Sequence, residues 1–293
     1  MKVWLVGANG LLGSVLRARI EELGVPFVAT DRELDIADPR IVTEFVERER
    51  PTLIVNAAAY TRVDDAETHE QDAFRTNALG PENLGTAGSR NGSSIVHVST
   101  DYVFDGRASE PYREDAPCAP ASAYARTKHE GERRLLAVTG GRSLWMIRTS
   151  WLFGDNGPSF VRRITELVAE RDELRVIADQ RGRPTYAPDL ADAALRLAGL
   201  VEPARPAAHG VYHFANSGEA TWHELAEAVR ERALKLGLPV RAARIVPITT
   251  PEYPLPAVRP AYSVLDTSKI EAALGFKPRH WHAALDEYFR KRV

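Results

Sequence analysis

The feature that most restricts the fold of this chain lies near its start, where Val3-Trp4-Leu5-Val6 runs into Gly7-Ala8-Asn9-Gly10-Leu11-Leu12-Gly13 and a helical apolar pattern continues to Leu23. Such a run is a buried strand, and the glycines behind it make a strand-turn-helix. Glycines at this place permit the tight turn, let backbone approach a pyrophosphate and allow close helix-strand packing, while the helix N-terminus offers a positive dipole and free N–H donors. Gly7, Asn9, Gly10, Leu11, Leu12 and Gly13 are therefore candidates for binding a dinucleotide. Asp31 follows the second strand about 20 residues further on, where a carboxylate accepts hydrogen bonds from the adenosine ribose of NADH. Arg32 beside it could meet the 2′-phosphate of NADPH instead, so both cofactors stay open. Asp35 and Ile36 are placed either to line the adenine pocket or to form a surface turn.

Further apolar runs occur at Phe27 to Ala29, Leu53 to Val55, Ile95 to Val98, Leu144 to Ile147 and Leu174 to Ile177, with helices such as Pro39 to Arg48 and Gln71 to Ser89 between them. Runs this continuous suit strands covered on both faces, which is what crossover helices do to a parallel sheet. The pattern predicts an α/β fold, a Rossmann-type doubly wound parallel sheet. Pro188 suits the first turn of another helix, running to about Leu200. After about residue 150 the alternation becomes irregular, with a loop at Gly154, Asn156, Gly157 and Pro158 and a proline-rich stretch from Pro247 to Pro260. A smaller C-terminal substrate lobe is expected there. Because Val211-Tyr212-His213-Phe214 again reads as a buried strand, that lobe should be discontinuous. Residues 1–150 plus about 176–215 then form the dinucleotide-binding domain, and about 151–175 with 216–293 the substrate lobe.

Composition removes several function classes. The formal charge is −2 and Lys and Arg are dispersed among Asp and Glu, so no basic stripe offers a surface to nucleic acid. The single cysteine, Cys118, sits between prolines, excludes an intramolecular disulfide, fits a reducing compartment and is expected to be structural. No secretory-type apolar segment and no run long enough to span a bilayer stands out, so a cytoplasmic protein without a membrane partner is expected. The eight histidines show no spacing of the His-Glu-x-x-His kind, and no metal is expected.

The chemistry is concentrated downstream of the fourth strand. That strand ends in Ser99-Thr100-Asp101-Tyr102-Val103-Phe104, and 24 residues after Thr100 comes Tyr124-Ala125-Arg126-Thr127-Lys128, on a helix that Ser122 can cap. Tyr124 and Lys128, four apart, share a helix face. Alone, such a pair is more often a solvated surface feature. A phenol with a reference pKa of about 10 is a poor acid-base group at neutral pH, but a nearby ammonium and a nicotinamide cation favour phenolate and lower the value. Thr100 arrives at a strand's carboxyl end, where open α/β sheets bind ligands, and would add a hydroxyl. Thr100, Tyr124 and Lys128 are thus the candidate catalytic set, with Tyr124 and Lys128 also meeting the cofactor.

Taken together, Gly-x-x-Gly-x-x-Gly, the Thr and Tyr-x-x-x-Lys resemble the extended short-chain dehydrogenases. More narrowly, the chain resembles the dTDP-4-dehydrorhamnose reductase family, through Val55-Asn56-Ala57-Ala58-Ala59-Tyr60-Thr61, Ser99 to Phe104, Arg148-Thr149-Ser150-Trp151 and Gly182-Arg183-Pro184-Thr185. Gly210-Val211-Tyr212-His213, Thr221-Trp222, Arg259-Pro260 and Ser263-Val264-Leu265-Asp266 extend the likeness over the whole chain. The resemblance implies NAD(P)H-dependent reduction of the 4-keto group of a dTDP-linked 6-deoxy sugar, dTDP-4-dehydro-L-rhamnose to dTDP-L-rhamnose. Hydride would go to C4 while Tyr124 donates a proton, Lys128 tunes Tyr124 and holds the nicotinamide ribose, and Thr100 hydrogen-bonds the carbonyl oxygen. It places Ala57, Ala58 and Ala59 along the cofactor cleft, where tight packing is an equal reading, and Thr61, Val63, Asp101, Tyr102 and Trp151 at the sugar. Arg259 would meet the diphosphate. Some family members are dimers bridged by metal through acidic residues, one of them two places after the third glycine; Val15 stands there, so a monomer or weak homodimer is expected. Nucleotide-sugar 4-epimerases and 4,6-dehydratases are the enzymatic alternatives, although Asp101-Tyr102 replaces the Asp-Glu pair that dehydration uses. A non-catalytic, reductase-like regulatory subunit is the alternative of another class, disfavoured by the intact Thr100, Tyr124 and Lys128.

Overall fold

The computed structural model describes residues 1–201 and 206–292. Strands and helices alternate through the first half as β1 (Val3–Val6), α1 (Leu11–Glu22), β2 (Phe27–Thr30), α2 (Pro39–Glu49), β3 (Leu53–Asn56), α3 (Glu70–Phe74), α4 (Gly80–Asn91), β4 (Ser94–Thr100), α5 (Ala123–Thr139) and β5 (Leu144–Thr149). There follow β6 (Leu152–Phe153), α6 (Phe160–Glu170), β7 (Glu173–Ile177), β8 (Arg181–Gly182), β9 (Thr185–Tyr186), α7 (Ala187–Leu197) and β10 (Gly210–His213). The chain ends with β11 (Ala220–Thr221), α8 (Trp222–Lys235), β12 (Arg244–Ile248), α9 (Ser268–Leu274) and α10 (Trp281–Arg290). Among the described residues no helix is long and apolar enough to cross a membrane.

Six strands form one parallel sheet in the order β10-β5-β4-β3-β1-β2. Side chains alternate between its faces. Val3 and Leu5 of β1 therefore pack with α1 and α7, through Leu12, Leu16, Leu190 and Leu195. Trp4 and Val6 face α2, α4 and α5, through Phe45, Leu84 and Leu135. This is the doubly wound sheet that the apolar runs predict. From β1 the chain moves outward to β2, then crosses back to β3 and proceeds the other way, so the order reverses between β1 and β3. A reversal of this kind opens a crevice at the carboxyl ends of the strands.

A separate apolar core joins α6, α8 and α10 through Val161, Ile164, Leu225, Val229, Leu285 and Tyr288. Leu174 to Ile177, expected among the strands of the main sheet, belong here instead: β7 pairs with β12, in parallel. The reason lies in the alternation within Glu173–Ile177, where Leu174 and Val176 are buried and Arg175 between them is exposed, the pattern of a strand covered on one face. β10 lies at the edge of the main sheet beside β5.

The stretch Gln71 to Ser89, expected as one regular helix, contains a π-helical turn at Arg75–Leu79. Such turns mark sites where a helix gives up regularity for another contact. Here Asn77 Oδ1 accepts the Tyr60 N–H at 2.8 Å, and Asn77 Nδ2 donates to Thr127 Oγ1 of α5 at 3.1 Å. Helix α5 approaches this turn so closely that a Cβ on Gly131 would lie 1.9 Å from the Asn77 carbonyl oxygen. We predict that Gly131→Ala overpacks this contact and costs about 1–3 kcal/mol, seen as a lower urea midpoint; an unchanged midpoint would show that α5 has room to move.

Candidate active site

Where β1 ends, Val6 pairs with Asn56 of β3, so Gly7 and Ala57 leave the sheet side by side. Gly7 has φ +78°, and a Cβ there would lie 2.6 Å from the Ala58 nitrogen. One turn into α1, a Cβ on Gly13 would lie 1.9 Å from the Gly7 carbonyl oxygen. Gly10 is the N-cap residue and carries no side chain to satisfy the first-turn N–H groups, which leaves them for an anion. The cradle thus fits a pyrophosphate. Asp31 closes its rim, one carboxylate oxygen accepting the Asn9 N–H at 2.8 Å and the other the Arg32 N–H at 2.9 Å. Arg32 is exposed.

The other cofactor-side candidates separate. Asp35 accepts the Ala37 N–H at 2.9 Å and a hydrogen bond from Arg75 at 2.7 Å, the behaviour of a turn residue. Ile36 is buried, and a Cβ on Gly80 would lie 2.5 Å from it, so its side chain serves the core. Ala57 and Ala58 pack against opposite faces of the sheet. With Ala59 they are half-buried at the mouth of the crevice.

Thr100 and Tyr124 lie on that same edge. Ser122 caps α5, its Oγ accepting the Ala125 N–H, as expected. The Ala123 N–H is taken by Glu67 at 2.8 Å, and Tyr124 packs with Tyr60 around Ala66, Ala73 and Ala123. The Tyr102 ring meets Tyr124 edge-on, with centroids 5.8 Å apart. Thr100 Oγ1 accepts the Tyr102 N–H at 3.2 Å and lies 3.1 Å from Asp101 Oδ1. Lys128 is buried and donates to the Val98 carbonyl at 2.8 Å.

Among the protein's own groups, burial dominates the electrostatics of Tyr124 and Lys128. Burial pushes the Tyr124 phenol up to about 12, the Thr100 hydroxyl beside it opposing the shift. Burial also brings the Lys128 ammonium down to about 8, against the pull of Glu132. Desolvation penalises each charged form, and one of the three N–H donors of the Lys128 ammonium is taken by the Val98 carbonyl. Burial raises Asp101 to about 7, with Ser263 and Thr100 hydroxyls opposing.

Of the sugar-side candidates, Trp151 has φ +47° and stacks on Trp222, with ring centroids 3.5 Å apart. One indole face is thus covered by protein. Arg259 is tied through both terminal nitrogens to Asp64, at 2.6 and 2.9 Å, which fastens the C-terminal loop to the segment carrying Thr61 and Val63. Thr61 is exposed and Val63 half-buried.

Sequence reasoning missed Glu132, Asp64, Asn77 and Trp222 as supporting residues. Glu132 was recoverable, since it lies four residues beyond Lys128 on the same helix face. It is buried against Arg148 of β5, with Oε2 2.7 Å from Nη2 and Oε1 3.0 Å from Nε. Arg148 also lies 3.4 Å from the sulfur of Cys118. Cys118, His129 and Glu132 converge, their donor atoms within 4.8 Å of one another, and the guanidinium bridges two of them.

A doubly wound sheet whose glycine cradle shares an edge with a threonine, a tyrosine and a lysine is the architecture of the extended short-chain dehydrogenases and reductases. The RmlD substrate binding domain family matches residues 1–293. A dTDP-4-dehydrorhamnose reductase of Streptomyces griseus is 44% identical over 291 residues, 98% of this chain and 92% of its own. A dTDP-4-dehydrorhamnose reductase structure from Clostridium acetobutylicum has a TM-score of 0.92 at 36% identity, over 100% of this chain and 99% of that one. One from Bacillus anthracis, solved in complex with NADP, gives 0.90 at 32% identity over 99% of each chain. The chain belongs to the RmlD substrate binding domain family, that of the dTDP-4-dehydrorhamnose reductases, which are NAD(P)H-dependent oxidoreductases.

The Glu132–Arg148 pair makes a testable claim. Burial alone would raise the Glu132 carboxyl, but the His129 ring 3.8 Å away and the hydrogen-bonded Arg148 guanidinium overcome it and hold the group at about 2. A carboxyl lowered from 4.5 by folding contributes stability that is present above its unfolded value and lost as pH falls towards about 2. Glu132→Gln should cost about 3–5 kcal/mol at neutral pH, because it leaves the arginine buried and unpaired. It should also flatten the fall of melting temperature between pH 5 and 2; a variant that melts like the wild type at pH 7 would contradict this.

Proposed function

We propose that the protein reduces the 4-keto group of dTDP-4-dehydro-6-deoxy-L-mannose (dTDP-4-dehydro-L-rhamnose) to dTDP-L-rhamnose in the cytoplasm, with Tyr124 as proton donor. The observation that carries this reading is the arrangement of Thr100, Tyr124 and Lys128 on the sheet edge that also bears the glycine cradle. When bound, the reduced nicotinamide supplies the hydride. A phenol raised to about 12 is protonated at neutral pH, the state a donor to a developing alkoxide needs. Thr100 supplies a second hydroxyl for the oxygen on which negative charge builds. Lys128, largely charged below about 8, stabilises the phenolate that Tyr124 leaves behind.

The neighbouring residues favour reduction over dehydration. Tyr102 stands where a dehydratase has its glutamate, and burial raises its phenol, so it is no base at neutral pH. Asp31, with both oxygens turned to the loop, and exposed Arg32 beside it support acceptance of NADPH as well as NADH. Val15 packs against the protein's own core, which suits a monomer or weak homodimer without a metal bridge at that position.

The test is nicotinamide oxidation with dTDP-4-dehydro-L-rhamnose. Wild type should turn over with either cofactor, while Tyr124→Phe should lose about 10²–10⁴-fold in kcat and bind NADPH as before. Full turnover by the folded variant would remove Tyr124 from the proton-donor role.

A further inference from the structure

Behind Thr100 lies the carboxyl group of Asp101, which the resemblance places at the sugar without giving it a part in the proton chemistry. Asp101 is buried to 2% exposure, and its Oδ2 has no hydrogen-bond partner among the described residues. Its other oxygen, Oδ1, lies 3.1 Å from Thr100 Oγ1. Either partner can carry the proton on that contact, the hydroxyl always and the carboxyl when it is neutral. The choice decides what Thr100 can do, because a hydroxyl has one proton to give. An ionised Asp101 accepts that proton and leaves Thr100 nothing to donate to a ketone. A neutral Asp101 donates instead, and the threonine proton is free.

We propose that Asp101 is a positioning residue that works as a neutral carboxylic acid, donating to Thr100 Oγ1 so that the proton of Thr100 points at the keto oxygen of the substrate. The inference rests on the reductase reading. The surroundings favour the neutral form: Tyr102 on the same segment, Tyr124 from α5 and Ser263 from the C-terminal lobe face Asp101, and all are uncharged at neutral pH. The guanidinium beyond Tyr102, that of Arg259, is engaged by Asp64. A bare, buried carboxylate oxygen without a cation is costly. Consistently, burial raises this carboxyl to about 7, with the Ser263 and Thr100 hydroxyls opposing.

Asp101→Asn keeps a donor towards Thr100 that cannot ionise. Wild-type kcat should fall as pH rises through about 7, whereas the variant should hold its rate until Lys128 titrates near 8. The ratio of variant to wild-type kcat should therefore rise about tenfold between pH 6 and pH 8; a constant ratio would overturn the proposal. Infrared difference spectroscopy of the wild-type protein carrying ¹³C-labelled aspartate provides a test independent of turnover and of the variant's folding. A protonated carboxylic acid band at pH 6 that disappears by pH 9 is expected, and its absence at pH 6 would also overturn the proposal. Wild type that reduces no keto-sugar at any pH would refute the reductase reading while leaving this band to report on Asp101.

Discussion

A guanidinium and a carboxylate buried between α5 and the sheet hold in place the edge that carries Thr100, Tyr124 and Lys128. Arg148 sits on β5 opposite Ser99 of β4 on one side and His213 of β10 on the other. From there it grips Glu132 of α5, lies 3.4 Å from the Glu114 carbonyl and covers the ring of Phe104. Helix α5 and the long connection that precedes it are thus both fastened to one residue. Lys128 is one turn before Glu132 and Tyr124 one turn earlier still, so the pair fixes the helix that carries them against the strand that carries Thr100. A buried ion pair is a weak source of net stability, since desolvation offsets most of its attraction. Its value here is positional.

The cradle for the dinucleotide depends on contacts of a different kind. Gly7 and Gly13 let strand, turn and helix approach within distances that no side chain permits. The strand order reverses beside them, the place where open α/β sheets bind their ligands. Because α5 is held by Arg148 and α1 by these glycine contacts, the two halves of the site meet on rigid elements. The C-terminal lobe joins through Arg259 and Asp64 and through the Trp151–Trp222 stack. Trp151 keeps a left-handed backbone, a conformation that persists only where surrounding contacts over-determine it.

Much of this was legible in the sequence because the signals are local. The apolar run before Gly7, the spacing of Tyr124 and Lys128 and the Ser122 cap each depend on residues within a few turns of one another. The glycine motif also reports its own packing, since only a residue without Cβ fits at Gly13. What escaped is non-local or ambiguous in period. Glu173–Ile177 is short enough to pass for a central strand, and only the exposure of Arg175 betrays a strand covered on one face. The irregular turn before Pro81 answers to Tyr60 and Thr127, which lie 17 residues before and 50 after Asn77. Asp64 and Arg259 are 195 residues apart, and no periodicity connects them. The burial that raises the Tyr124 phenol, and the turn of Lys128 towards the Val98 carbonyl 30 residues earlier, are likewise set by parts of the chain distant in sequence.

In the proposed reaction this sheet edge directs hydride to one carbon of a keto-sugar. The most direct measurement is turnover of dTDP-4-dehydro-L-rhamnose with NADPH deuterated at the transferring position of the nicotinamide, followed by proton NMR of the sugar product. Deuterium confined to C4 of dTDP-L-rhamnose is the predicted result. Product without deuterium at C4, or label at another carbon, would contradict the account.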